Sequence, residues 1–469
     1  MKLAVIGAGW AGLAAAVSAV AEGHNATVFE ASHAIGGRAR ALKDAQVYTL
    51  PNGQSATLDN GQHILIGAYA ETLRLMRTVG LQPNDLLLNL PLTLQFPDGQ
   101  GLRFTDWPAP LDALGGILSV RGWSLADKAS LLWAAVRWRL AGFECAPDQS
   151  VAQLCRRLSA RVTTELIEPL CVSALNTPAN QASAQVFLRV MRDALFGASG
   201  GSRLLLPLVD LSQLFPNTAA AWLKTHGSEV RLGQRVEYLG QQSGGCLGVW
   251  AAERSAQVKE EPAQRAGDTE QSTLPPRLLV NSEPFDAVVL ATPPQETARL
   301  LTQLAPSLPA ADALQLAPWL NACHALQFEA IATVYAWAEG CRLAQPMLAL
   351  HSAPSQPAQF VFDRGQLGGA SGLLAFVVSA ALGDRATLET QVLAQAQAQL
   401  GLKLQAIQTV VEKRATFACT PGLQRPSVQL LPGLVACGDY VAGPYPATLE
   451  GAVRSGINAA LSLPARGRS

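Results

Sequence analysis

The sequence reads as an α/β (α+β) chain: a helix-flanked parallel sheet assembled from separated segments, joined to a mixed sheet-and-helix second domain. Three observations lead there. A strand, a glycine turn, a helix and a second strand open the chain, between Lys2 and Glu30. Further apolar runs of the kind that form buried strands lie far along the chain, at 285–290 and 434–437. Between them come stretches of helical or alternating spacing. At 469 residues, with 49% hydrophobic side chains, the length suits two or three domains and a large core.

The opening unit is the most informative. Lys2-Leu3-Ala4-Val5-Ile6 is a short apolar strand, and Gly7-Ala8-Gly9-Trp10-Ala11-Gly12 follows at once. A helix is expected over Leu13–Glu22 and a second strand over His24–Phe29, ending at Glu30 and Ala31. This is a βαβ unit with a G-x-G-x-x-G turn and an acid about 20 residues further on. Gly7 allows the tight turn, Gly9 lets a pyrophosphate approach the backbone, and Gly12 lets the helix pack close to the sheet. The first helical amides lack internal partners, so an anion sits there. Glu30 can accept hydrogen bonds from both ribose hydroxyls and would repel a 2′-phosphate, which argues against NADP.

Ile35-Gly36-Gly37-Arg38-Ala39-Arg40 comes next. A second glycine pair suits a second approach to the diphosphate, with Arg38 neutralising it. This resembles the GG motif of the flavin-dependent amine oxidase and phytoene desaturase superfamily. The resemblance implies FAD as cofactor, held by a Rossmann-like FAD-binding domain beside a substrate domain.

Leu42–Asn52 reads as a strand into a turn. Asp59-Asn60-Gly61-Gln62-His63 is a polar knot among apolar residues, and the resemblance runs it along the flavin ring, with Gly61, Gln62 and His63 in contact. His63 is either a titratable group at the ring or a hydrogen-bonded structural histidine. Tyr69–Val79 is a helix. Leu86–Thr105 alternates as strands about a hairpin turn at Pro97-Asp98-Gly99. Leu125–Phe143 is a helix with Trp133, Trp138, Lys128, Arg137 and Arg139. Interfacial helices have that mixture, but an ordinary amphipathic helix on a protein core is the favoured reading. Val151–Leu158, Thr163–Leu175 and Ala184–Ala194 continue a helical, apolar insert suited to a greasy substrate.

Leu211–His226 is helical with a proline at Pro216, and 227–236 reads as one return strand. The resemblance brings that strand back to the FAD domain, with the backbone of Val236 at the adenine. Residues 254–276 are polar, charged and proline-bearing, a surface loop. Phe285–Leu290 is a buried strand ending in Ala291-Thr292-Pro293-Pro294, like the A-T-P-P strand end of these enzymes. Leu326–Trp337 and Leu373–Ser379 are strands of the second sheet, and Ala386–Leu400 is a helix. Leu434-Val435-Ala436-Cys437-Gly438-Asp439 is a last core strand, and a final helix opens after Tyr445. The resemblance places Gly438 and Asp439 on ribityl or phosphate hydroxyls. It places Thr448 and Leu449, at the helix start, against the N1–C2 edge of the flavin, where a positive dipole stabilises the reduced anion.

Composition closes off other classes. A net charge of +0 gives no general attraction to nucleic acid. Eight cysteines without C-x-x-C pairs indicate neither a disulfide framework nor a metal site. No apolar run reaches the roughly 18 residues of a membrane span. Glycines at 7, 9 and 12 speak against a signal peptide. The expected location is the cytoplasm, with any membrane contact peripheral to the inner membrane.

The ordered set Asp59–His63, Leu166-Ile167-Glu168-Pro169-Leu170 with Ala174-Leu175-Asn176, and Gly438-Asp439 with Pro444–Ala452 resembles the squalene-associated FAD-dependent desaturase group of bacteria. Its characterised activity is dehydroxylation of hydroxysqualene to squalene for hopanoid synthesis. The resemblance implies an apolar isoprenoid substrate, an electron donor that the sequence does not name, and a placed acid. His63 is the first choice for that acid, Asp59 the second and Tyr445 the third. The FAD-binding domain is drawn over 1–85, 203–300 and 410–469, and the substrate domain over 86–202 and 301–409. An isoprenoid or carotenoid desaturase, an amine oxidase of the same fold, or an FAD-bearing binding protein are the competing readings.

Overall fold

The computed structural model describes residues 1–42, 47–107, 111–195, 200–241, 247–253 and 279–463. The surface loop expected at 254–276 lies outside them.

A six-stranded sheet forms one body. Its order is Glu229–Arg231, Asn25–Phe29, Lys2–Ile6, Ala287–Leu290, Leu434–Ala436 and Gln429–Leu431. All neighbours are parallel except the last pair, and Val5 stands level with Val28 on one side and Val289 on the other. The central strands Lys2–Ile6, Ala287–Leu290 and Leu434–Ala436 are nearly unbroken runs of Ala, Val, Leu and Ile because both faces are covered. Helices Trp10–Ala21 and Leu449–Leu461 cover one face; a Cβ on Gly456 would lie 2.2 Å from the Ala11 carbonyl oxygen, so only glycine allows their approach. The other face meets an antiparallel ribbon of Gln234–Gln241, Leu247–Glu253 and Leu279–Phe285.

The return strand expected at 227–236 is two strands. The chain turns at Gly233 (φ +69°), whose amide donates to Ser32, and Gln234 donates to the Glu30 carbonyl. The edge strand and the ribbon therefore clamp the loop that carries Glu30. The helix expected at 211–226 is likewise interrupted at Phe215, and Pro216 starts the second piece, where a missing N–H is harmless.

The second body is a five-stranded antiparallel sheet in the order Met347–Ala349, Phe360–Asp363, Leu373–Ser379, Phe328–Trp337 and Gln405–Phe417. Val334, Phe376 and Val378 on one face cluster with Leu388, Val392 and Ala396 of the helix Arg385–Leu400. Thr333, Val377 and Val410, level with one another, occupy the opposite face. The strand Gln405–Phe417 runs across the domain boundary drawn at 409/410 and stays paired to Phe417.

The insert 111–195 is helical. Ser124 and Ser150 cap the helices Leu125–Leu140 and Val151–Cys155, each with a reciprocal partner three residues on, Asp127 and Gln153. From Ala160 to Leu175 the chain is a continuous helix with a wide turn over Thr163–Ile167, just before Pro169. Pro169 has no N–H to offer the preceding turn, which accounts for the widening.

Candidate active site

A cavity of about 730 Å³ lies between the parallel sheet, the five-stranded sheet and the helical insert. Small-molecule sites commonly span about 300–1,000 Å³. Its two ends differ in chemistry.

One end is bare backbone and charge. The strand Lys2–Ile6 turns out at Gly7 (φ +110°), where a Cβ would meet the Ala291 carbonyl oxygen at 2.7 Å. The helix that follows starts at Trp10 with Gly9 as N-cap and no side chain capping it. Its first amides and the positive end of its dipole therefore face the cavity at Gly9, Trp10 and Ala11. Gly9 bridges to Gly36, and a Cβ on Gly37 would lie 3.1 Å from the Gly9 Cα. Two glycine turns thus press together into one uncapped, positively polarised cradle, which fits a diphosphate. Gly12 and Ala8 lie behind it. A Cβ on Gly12 would fall 2.0 Å from the Gly7 carbonyl oxygen, and Ala8 is buried, giving its amide to Glu30.

Glu30 lines the cavity with Ala31. Its oxygens accept from Ala8 N at 2.8 Å and Ser32 N at 2.9 Å, which fixes the carboxylate and leaves lone pairs for sugar hydroxyls. Val236 lies on the same wall. So does Gln234, whose Oε1 is buried without a partner among the described residues, an acceptor that a nucleotide could satisfy. Arg38 was expected on the diphosphate. Its guanidinium also pins the two sheets, donating to Asp439 Oδ1 and to the carbonyl of Ala415 in the strand Gln405–Phe417, both at 2.5 Å. The cradle, the anchored acid and the orphan acceptor fit FAD in adenosine-diphosphate register.

Gly61, Gln62 and His63 continue the wall. His63 Nδ1 donates to the Gly61 carbonyl at 3.2 Å. Burial pushes the imidazole below its ordinary pKa, and nearby Arg38 does so too. The direction favours the neutral ring, against the pull of the Gly61 hydrogen bond. Asp59 does not line the cavity. It is 3% exposed, accepts from Leu211 N at 2.9 Å and lies 3.7 Å from the buried Arg364 guanidinium. Burial pushes its carboxyl up to about 7 against the pull of Arg364. The second-choice acid is thus buried beside the wall rather than on it, and Arg364, its partner, donates to Gln62 of the wall at 3.2 Å.

At the C-terminal side, Ala291, Gly438, Asp439, Thr448 and Leu449 reach the wall. Thr448 caps the helix Leu449–Leu461 by accepting from Gly451 N at 2.9 Å. Glu450 points away from the cavity. It is wholly buried and accepts from Glu71 N, Thr72 N and the Thr72 hydroxyl, so it caps the helix Ala70–Thr78 from a distant segment. Tyr445 also lines the cavity, and its hydroxyl donates to Asp193 Oδ2 at 2.8 Å. Burial and the Asp193 charge push the phenol up to about 12, so it keeps its proton.

Much of the rest of the cavity wall is apolar. The hairpin of Thr93–Gln95 and Gly101–Arg103 gives Leu94 and Leu102; the insert gives Ile117, Leu131, Trp138, Leu166 and Leu170; the second sheet gives Met347, Phe360, Phe362 and Val377. The Leu166–Leu170 and Ala174–Asn176 segments both fall on this wall. Asn176 ends its helix in a left-handed turn (φ +46°), a conformation asparagine tolerates. Its amide donates to the Thr416 hydroxyl at 2.9 Å and accepts from Ala380 N at 2.7 Å, tying the insert to the sheet.

Three residues escape the sequence reading. Asp193 gives no signal on its own helix. Arg364 looks like a surface loop residue. Thr333 carried a readable hint: with Ile331 and Tyr335 it alternates on one strand face. Its Oγ1 is buried on the cavity wall without a partner among the described residues.

Comparison with known proteins agrees with this geometry. The model of the flavin containing amine oxidoreductase family matches residues 10–462. The chain is 28% identical to hydroxysqualene dehydroxylase of Rhodopseudomonas palustris over 99% of both chains. It is 26% identical to that of Sinorhizobium fredii over 97% of this chain and 96% of the relative. Among solved structures, an oxidoreductase from Methanosarcina mazei superposes with a TM-score of 0.67 at 17% identity, covering 98% of this chain and all of the other. Putrescine oxidase does so at 0.64 and 17%, with 99% of each covered. These structures share the fold. The chain is a member of the flavin containing amine oxidoreductase family, an FAD-dependent oxidoreductase.

Proposed function

We propose that this enzyme reductively removes the allylic hydroxyl of hydroxysqualene to give squalene. The observation that carries the reading is the two-ended cavity: a nucleotide cradle opening into a chamber walled by leucine, phenylalanine, methionine and tryptophan. The full-length relatives named for that activity support it. The matches to zeta-carotene desaturases cover 28% of the chain or less, so that alternative has the weaker support.

The parallel-sheet body, including residues 1–85 and the chain after Phe417, holds FAD; the insert and the five-stranded sheet hold substrate. Gly7, Gly9, Gly36 and Gly37 receive the diphosphate, Glu30 the ribose, and Asp439 the ribityl chain. Reduced FAD supplies the hydride that replaces the hydroxyl. The protein's part is to make the hydroxyl leave. Hydroxide is a poor leaving group, and apolar walls do not solvate it, so the oxygen must leave as water. Tyr445 and Asp193 are the oxygen pair on the wall that can hold and pass that proton. Neutral His63 instead orients a ligand through its free ring nitrogen. Anaerobic mixing of pre-reduced enzyme with hydroxysqualene tests the reading. Squalene with stoichiometric flavin oxidation is expected; unchanged flavin and substrate overturn it.

A further inference from the structure

Thirteen large apolar side chains are exposed among the described residues, and eight of them fall between Trp107 and Leu140, under a tenth of the chain. Patches of this kind on soluble folds mark contact surfaces. Seven of the eight belong to two consecutive helices, and Trp107 precedes the first. In Leu111–Ser119, Leu111, Leu114 and Leu118 form one outward row. In Leu125–Leu140, Leu125, Trp133, Val136 and Leu140 form another, 86%, 63%, 49% and 82% exposed. At 100° per residue these four fall within one narrow stripe. Arg137 lies on one flank of the stripe, and Lys128 and Arg139 on the other. Lys128 Nζ also donates to the Leu118 carbonyl, which ties the two helices together. Of the acids on these two helices, Asp112 is buried and Asp127 closes the Ser124 cap; Glu144 lies exposed just beyond the second helix.

The opposite rows of the same helices, Ala113 and Ile117, and Leu131, Ala135 and Trp138, wall the cavity. A single layer of helix therefore separates the apolar chamber from an apolar outer face. No helix among the described residues is long and apolar enough to cross a membrane.

We infer that the helices Leu111–Ser119 and Leu125–Leu140 dock this protein on an anionic lipid surface, lying in the interface with their leucine and tryptophan rows in the acyl region. An apolar stripe bordered by basic residues on both flanks is the geometry for this: the stems lie along the acyl boundary and the charged heads reach the lipid phosphates. Charge decides between lipid and a second copy of the chain. A two-fold interface through this stripe brings the basic flanks of one copy beside the basic flanks of the other, whereas anionic headgroups neutralise them. Docking here places the thin wall of the chamber against the phase in which an apolar ligand dissolves. The inference concerns the surface alone and holds whichever apolar ligand the cavity takes.

The test uses the full-length FAD-loaded protein and co-sedimentation with vesicles of phosphatidylcholine plus phosphatidylglycerol, beside vesicles of phosphatidylcholine alone. Binding to the anionic vesicles, weakened by salt, is expected. The combined change Leu125→Ser, Trp133→Ser and Leu140→Ser should weaken it by more than about a hundredfold, since each side chain contributes by leaving water. The control pair Leu314→Ser and Leu382→Ser, exposed at 73% and 83% elsewhere, should bind as the parent does. Flavin absorbance and circular dichroism confirm that both variants are folded. Three results overturn the proposal: no vesicle binding by the parent, equal loss in the control pair, or a dimer in solution that the triple change dissolves while vesicles are ignored.

Discussion

The hydroxyl of Tyr445 donates a 2.8 Å hydrogen bond to Asp193, joining the loop before the last helix to the end of the helical insert, 252 residues away. Both residues line the cavity. Arg454 lies 5.0 Å over the Tyr445 ring, and Arg192 pairs with Asp193 at 2.8 Å, so both partners are held in place.

Tyr445→Phe keeps the ring and removes the proton. Turnover should fall by about 10²–10⁴-fold, the usual range for losing a general acid. Flavin absorbance and the melting temperature should be nearly unchanged. Asp193→Asn should fall by a similar factor if the pair acts as a unit, and the double variant should fall no further. Because the phenol titrates at about 12, the parent's rate should show no loss from this group between pH 6 and 10. Single-turnover flavin oxidation across that range checks both points.

Two glycines of the cradle should fail differently. A Cβ at Gly12 would sit 2.0 Å from the Gly7 carbonyl oxygen, which is backbone and cannot swing aside. Gly12→Ala should therefore cost the fold itself several kcal/mol, as overpacking does at about 1–3 and occasionally more. A Cβ at Gly9 would be 3.8 Å from the Gly37 Cα, ordinary contact, and its φ of −73° suits alanine. Gly9→Ala should fold normally as apoprotein and bind FAD less tightly, because the methyl fills the space meant for the diphosphate. Thermal melts with and without added FAD separate the two.

The opening βαβ unit was legible because its parts are local: strand, glycines and acid lie within thirty residues, and each glycine has one steric reason to be there. The scattered strands at 287–290 and 434–436 were legible because burial on both faces leaves only apolar residues. What escaped depends on pairing across the chain. Nothing near Asp59 in sequence reports that the buried Arg364 lies 3.7 Å away. Nothing near Asp193 reports Tyr445. The split at Gly233 was readable as a glycine inside a strand pattern, and the strand Gln405–Phe417 lost its signal because its exposed edge carries glutamine, glutamate, lysine and arginine.

Asp59 predicts a pH dependence of stability. Its folded pKa is raised to about 7, against about 3.9 in an unfolded chain. The native state then binds the proton more tightly than the unfolded state. Its contribution is fully present below about pH 4 and is lost as pH rises through about 7. Asp59→Asn stays neutral throughout, so the difference in unfolding free energy between parent and variant should change across that window and be flat above it. Urea melts at several pH values measure the slope. Arg364→Met, which leaves the carboxylate without its partner, should destabilise by roughly 3–5 kcal/mol at pH 8 and less at pH 5.

Thr333 offers the sharpest separation of stability from function. Its hydroxyl is buried on the cavity face of the central strand, level with Val377 and Val410, and has no partner among the described residues. An unsatisfied buried hydroxyl costs roughly 1–3 kcal/mol, which a structural role does not explain. It lies near the turn that carries His63: a Cβ on Gly61 would be 3.8 Å from both the Thr333 hydroxyl and the His63 ring. Those two polar groups lie close together on the cavity wall, where a ligand hydroxyl could partner them. Thr333→Val keeps the shape and removes the oxygen. The melting temperature should hold or rise, while KM for an alcohol substrate rises about tenfold and the affinity for its hydroxyl-free product is unchanged. A loss of stability, or equal weakening of alcohol and hydrocarbon, would show that the hydroxyl serves the fold instead.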